Sequence, residues 1–365
     1  MKSNQLIAAF LFLCFSVIAQ EKITVESIYS GAFRAKGMDE LQSLKNTNQY
    51  TVLNFDRASR SMQIDLYDFA TLKKVSTLID SKNHKDLAEG IDSYAFSADE
   101  KMILIANSSI QIFRHSFTAD YYLYDTTTKS LTKLFDFQVQ EPTFSPDGKK
   151  IAYAKENNLY VYDIATKKST QVTSDGKKNA IINGITDWVY EEEFAFVRAF
   201  DWSADSKKLA YIRFDETEVP QFSMDLYKKD LYPTADTFKY PKAGEKNAVV
   251  SLHLFDVTSK AAKTGNLSNY NDFYIARLKW TNDANVLSAQ VLNRHQNNLD
   301  LLFVDGNSGV AKVVLNEKDK AYVDVTDNLT FLKDNSFIWT SEKDGFNHIY
   351  LYDKSGKLKK QITKG

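Results

Sequence analysis

Hydrophobic and polar residues alternate along the chain in short runs that end alike. An aromatic or aliphatic pair and then Asp occur in LYDFATLKK (66–74), LYDTTTKSL (123–131), VYDIATKKS (161–169), LFDVTSKAA (254–262), LFVDGNSGV (302–310) and YLYDKSGKL (350–358), each reading as a strand that enters a turn. Before most of them comes a second pattern: AFSADEKMIL (95–104), TFSPDGKKIA (143–152), DWSADSKKLA (201–210), KWTNDANVL (279–287) and TFLKDNSFIW (330–339). Here an inward aromatic residue leads into a polar turn and then an aliphatic strand, so each unit is two hairpins. Asp147, Asp205 and Asp334 fall in these turns, where capping of backbone N–H groups accounts for them without catalysis.

Four-stranded units recurring every 40–50 residues or so predict an all-β fold, a β-propeller whose blades bury their faces only by stacking on their neighbours. Phe96 to Phe144 and Trp280 to Phe331 fit that period. From Phe144 to Trp202 and from Trp202 to Trp280 the spacing is longer, the surplus holding DWVYEEEF (187–194) in one case and the Met224–Glu245 stretch in the other. Insertions are therefore expected in the middle blades, where they commonly build a binding surface. About six blades are visible.

Composition agrees with this and narrows the function. Aromatic residues make up 13% of the 365 positions and proline occurs only 5 times, which suits packed strands. A net charge of -1 with both signs interspersed gives no electrostatic reason to bind nucleic acid or an anionic membrane. At the N-terminus Lys2 precedes an apolar run from Leu6 to Ala19, too short to span a bilayer comfortably, which predicts a signal peptide over 1–19 cleaved near Ala19. The single cysteine, Cys14, lies within it, so a mature chain of 20–365 has no disulfide or cysteine-ligated metal. The expectation is an exported, bacterial periplasmic protein with no membrane span after cleavage.

In DWVYEEEF three consecutive glutamates, Glu191, Glu192 and Glu193, sit among Trp188, Tyr190 and Phe194. Crowded carboxylates require solvent or a cationic partner. On a helical turn, residues about 100° apart let Glu192 and Glu193 converge on one ammonium, with Glu191 turned away and expected to matter less. The other reading is a solvated acidic turn.

DWVYEEEF, FDETEVP (214–220), YPKAG (240–244) and FRHSFTADYYLYD (113–125) together resemble the N-terminal propeller of the dipeptidyl peptidase IV family of serine peptidases. The resemblance runs from Arg114 to the C-terminus. It implies an eight-bladed propeller capping an α/β-hydrolase domain and gating its active site, of which this chain carries an incomplete part. It further implies that Glu192 and Glu193 bind the free α-amino group of a peptide, that Arg114 contacts the carbonyl of the residue second from the cleavage point, and that Tyr322 lines the same cavity. Without substrate, Arg114 could pair with one of the glutamates, while His115 is expected to pack or hydrogen-bond rather than act as a base. A homodimer is another implication.

The catalytic chemistry lies outside these residues. No G-x-S-x-G elbow occurs, and His84, His115, His253, His295 and His348 show no metal-ligating spacing. No cofactor is expected. The chain therefore reads as the propeller of an exported dipeptidyl aminopeptidase releasing X-Pro or X-Ala dipeptides, with its Ser-Asp-His triad beyond Gly365 and no activity alone. The alternative is a non-catalytic periplasmic propeller that binds a protein or peptide partner.

Overall fold

A computed structural model describes residues 23–35, 37 and 40–365; the predicted signal peptide and Cys14 lie outside them. The chain divides into two compact units, Met1–Gln42 and Ser43–Gly365. In the first, the helix Val25–Tyr29 is capped reciprocally by Thr24 and Ser27 and buries none of its residues. No helix among the described residues is long and apolar enough to cross a membrane.

The second unit is the propeller. Its strands form successive antiparallel sheets, each a blade built from hairpins in chain order, six of them among the described residues. The second blade, for example, comprises Ser93–Phe96, Met102–Gln111, Phe117–Asp125 and Leu131–Lys133. No helix-flanked parallel sheet of the hydrolase kind occurs among the described residues.

Alternation within a strand makes the stacking possible, because successive side chains leave opposite faces of a sheet. Ile103 and Ile105 join Ile64 and Ile79 of the first blade in one core, whereas Leu104 and Ala106 join Ile151 and Tyr153 of the third in another. Ala152, between those two, faces the fourth blade and meets Leu209 and Phe200. Inner strands are thus apolar on both faces.

Turn chemistry sets the register as the repeats predicted. Ser145 Oγ donates to Asp147 at 2.6 Å and Ser203 Oγ to Asp205 at 2.7 Å. At the other repeat, Asp125 accepts from the Thr127 and Thr128 amides, both at 2.8 Å, and Asp256 from the Ser259 amide at 2.7 Å.

The two insertions fall in a single blade, the fourth. One splits its first strand into Ile181–Asn183 and Phe200–Trp202, which pair with different parts of Lys208–Asp215, and the gap holds the helix Trp188–Glu193. The other joins the second strand to the third, Val249–Asp256, through the hairpin of Gln221–Leu226 with Thr234–Lys239. Arg114 sits in the corresponding connection of the second blade, between Met102–Gln111 and Phe117–Asp125. Equivalent turns of stacked blades open on the same rim, and Phe113 meets Phe238 of the hairpin at 5.6 Å.

Gly356 tests the packing of the last two blades. Its φ is +88°, and a Cβ there would lie 1.9 Å from the Val314 carbonyl oxygen of the fifth blade. Gly356→Ala should therefore cost about 1–3 kcal/mol, read as a lower melting temperature by circular dichroism with unchanged spectrum below the transition. A variant that melts with the parent would show that the turn is free to move.

Candidate functional site

The site is built around the six-residue helix Trp188–Glu193. Asp187 caps it, its Oδ1 accepting from the Tyr190 amide at 3.0 Å. Tyr190 is 1% exposed and fixes the helix rotation: its hydroxyl accepts from the Ile275 amide of the fifth blade at 3.0 Å. A register shift between Ile275 and Arg277 interrupts pairing in that strand, a local departure of the kind that frees a backbone group for another partner. Phe194, Phe214 and Tyr274 surround the ring at 5.1, 4.8 and 6.0 Å between centroids.

With Tyr190 facing inward, the glutamates that follow are sent three ways. Glu191 is 1% exposed, and its Oε1 accepts from the backbone amides of His115 and Ser116 at 2.6 and 2.8 Å. Glu192 is partly buried and its Oε2 accepts from Arg114 Nε at 2.8 Å. Glu193 is exposed, with no ion pair or side-chain hydrogen bond to any described residue. Glu191 points away from the other two, and it holds the loop that carries Arg114. His115 contributes its backbone, while its side chain is exposed.

More acids surround this center. Glu141 stands on a bulge in the first strand of the third blade, with φ +53°. Burial raises its pKa, the Arg198 guanidinium opposes this and the Glu191 carboxylate adds to it. Burial likewise holds Asp187 up at about 6 despite its hydrogen bond from Tyr190. Glu216, from FDETEVP, is raised to about 7 by burial and then by the charge of Asp187, against the pull of Lys239.

Aromatic contacts brace the assembly from the hairpin side. Trp188 lies 4.3 Å from Tyr240, and Tyr240 is 5.5 Å from Phe222 and 6.3 Å from Phe238, which reaches Phe113. Arg114, Glu192 and Glu193 are thus brought to one rim. Tyr322 is not: more than half exposed between the fifth and sixth blades, it lines a separate cavity of about 730 Å³ with Glu317, Trp339 and Lys343. The sequence assigns no role to Asp187, Glu141 or Glu216, although the DWVYEEEF and FDETEVP motifs contain the first and the last. No cluster of His, Cys, Asp and Glu able to hold a metal ion occurs among the described residues.

The fold and site define a stacked-blade β-propeller that carries an acidic helix and an arginine loop on one rim, and comparison identifies its family. Residues 97–365 match the model of the dipeptidyl peptidase IV (DPP IV) N-terminal region, and the chain belongs to that family. The crystal structure of Porphyromonas gingivalis dipeptidyl peptidase 4 superposes with a TM-score of 0.88 at 38% identity, covering 95% of this chain and 50% of that one. Probable dipeptidyl peptidase 4 of Aspergillus flavus is 31% identical over 294 residues, 75% of this chain and 38% of that protein. Human prolyl endopeptidase FAP is 29% identical over 330 residues, 84% and 42% respectively. The chain therefore spans about two fifths of the length of these curated relatives.

Two outcomes follow from the buried acids. Glu191→Ala leaves the amides of His115 and Ser116 without an acceptor, so their hydrogen exchange should speed up and the melting temperature fall by the equivalent of roughly 2–4 kcal/mol. Unchanged exchange at those amides would show that the loop stands without Glu191. Glu216 behaves oppositely with pH. Its folded pKa lies above the ordinary carboxylate value, so the folded state holds the proton more tightly, and stability present at low pH is lost as pH rises from about 4.5 through 7. Glu216→Gln should melt higher than the parent at pH 8, by up to roughly 2–3 kcal/mol, with the advantage gone at pH 4. An equal difference at both pH values would mean that ionization of Glu216 is not its source.

Proposed function

We propose that this chain is the propeller portion of an exported, periplasmic serine-type dipeptidyl aminopeptidase, which releases X-Pro or X-Ala dipeptides from peptides with a free N-terminus. Glu192 and Glu193 hold the substrate α-ammonium, Arg114 the carbonyl of the residue second from the cleavage point, and the propeller gates access to a hydrolase domain that supplies the triad. A homodimer is part of this reading. The observation that carries it is the Arg114–Glu192 pair at 2.8 Å beside an exposed Glu193 with no partner among the described residues. The guanidinium remains 70% exposed, free to turn its other N–H groups to a ligand. Family membership and the relatives named dipeptidyl peptidases support the same reading.

The test is made on the full-length enzyme with a dipeptide substrate bearing a free amine. Charge-assisted hydrogen bonds contribute about 1.5–3 kcal/mol each, so Glu192→Gln and Glu193→Gln should each lower kcat/KM by roughly tenfold to a hundredfold. N-acetylation of the substrate should abolish cleavage by the parent and cost the variants proportionally less, while the 365-residue chain alone should turn nothing over. Parent-like cleavage by both variants, or equal cleavage of the acetylated peptide, would overturn the ammonium-binding role.

A further inference from the structure

Behind the arginine loop and the acidic helix lies a cavity of about 490 Å³ that Arg114, Glu192 and Glu193 do not line. At its floor is Glu216, 5% exposed, whose carboxylate receives no hydrogen bond from any described residue. Asp187, equally buried, shares the floor, and only its Oδ1 is taken, by the Tyr190 amide. Phe113, Trp188 and Phe238 supply apolar wall. Three lysines and one more acid complete the charged lining. The Lys239 ammonium is committed to the carbonyls of Thr217 and Val219 at 3.1 and 2.7 Å, and Lys177, Lys178 and Glu156 are exposed at the mouth.

A buried carboxylate without a donor is unfavorable unless protonated or met by a cation. A bare metal ion does not suit this floor. Hard cations take six or more oxygen ligands, and two carboxylates among aromatic walls do not provide them. Aromatic side chains around a paired acid fit a molecule with a charged end and an apolar body.

We propose that this cavity is a second binding site, for a small organic ammonium with an apolar body, its charged end on Glu216 and Asp187 and its body between Phe113, Trp188 and Phe238. Phe113 precedes Arg114 in the chain and Asp187 caps the helix that bears Glu192, so an occupant touches both halves of the rim site from behind. The binding itself does not depend on the peptidase reading.

The probe is phenethylamine, titrated into the 365-residue chain at pH 8 and followed by ligand-observed NMR, with N-acetylphenethylamine as the uncharged control. Saturable binding of the amine and none of the amide is expected. Glu216→Gln should weaken it by about tenfold or more, whereas Glu192→Gln should retain it. Binding by the parent should also weaken at pH 5, where Glu216, held up at about 7, takes up its proton while the amine stays charged. Because the rim proposed above would also take an ammonium and reject its acetyl form, the acetyl and pH comparisons are repeated on Glu192→Gln, where retained amine binding that weakens at pH 5 decides for the cavity even if Glu216→Gln does not fold. Absence of saturable binding, equal binding of the amide, or loss in Glu192→Gln with Glu216→Gln unaffected would overturn the proposal. The last result would place the amine on the rim and leave the peptidase reading standing.

Discussion

The rim site rests on one buried carboxylate. Glu191 accepts two backbone N–H groups from the loop of the second blade, 75 and 76 residues away in sequence, and so ties the arginine loop to the helix of the fourth. The more conspicuous ion pair cannot do this. Arg114 is largely exposed, and exposed pairs contribute at most about 1 kcal/mol, less at physiological salt. Buried charge-assisted bonds to an otherwise unsatisfied backbone contribute roughly 1.5–3 kcal/mol each. Arg114 is therefore placed by its neighbors, and its own side chain stays available to change partner.

The same arrangement gathers more negative charge than it neutralizes. Asp187, Glu141 and Glu216 all have their pKa raised by burial, which means that ionizing them works against folding. The hydrophobic side of the balance offsets this. Tyr190 sits in a cage of rings and bonds to the fifth blade, and the inserted hairpin closes over the helix through Trp188, Tyr240 and Phe238. Aromatic pairs of this kind add about 0.5–1.5 kcal/mol each beyond the area they bury. A rigid hydrophobic frame thus holds carboxylates where solvent alone would not leave them.

How much of this is legible in the sequence depends on the range of the interaction that fixes it. The blades are legible because period-two alternation and an Asp-capped turn are local, and Ser145 with Asp147 or Asp125 with Thr128 can be read from neighbors in the chain. The insertions are legible as excess spacing, but their meeting in one blade is not, since the break between Ile181–Asn183 and Phe200–Trp202 leaves the turn repeat intact. Which glutamate goes where is least legible. It follows from the rotation of the helix, and that is set by the Ile275 amide, 85 residues downstream of Tyr190. Glu216 escapes for the same reason: nothing beside it in sequence says that a hairpin and a helix will bury it.

That division of labor among adjacent glutamates bears on how the rim can act. Three equivalent carboxylates on a mobile turn would repel one another and bind an ammonium only after paying for their own ordering. Here Glu191 is committed to structure, Glu192 is paired with a guanidinium, and Glu193 is left open to solvent. On the proposed reading, an arriving ammonium would meet one free carboxylate and one whose cation can turn away as the ammonium takes its place, because Arg114 is already mostly in water. The exchange of partners therefore carries little desolvation cost on the protein side. The rigidity that makes it possible comes from the two amide bonds beneath it.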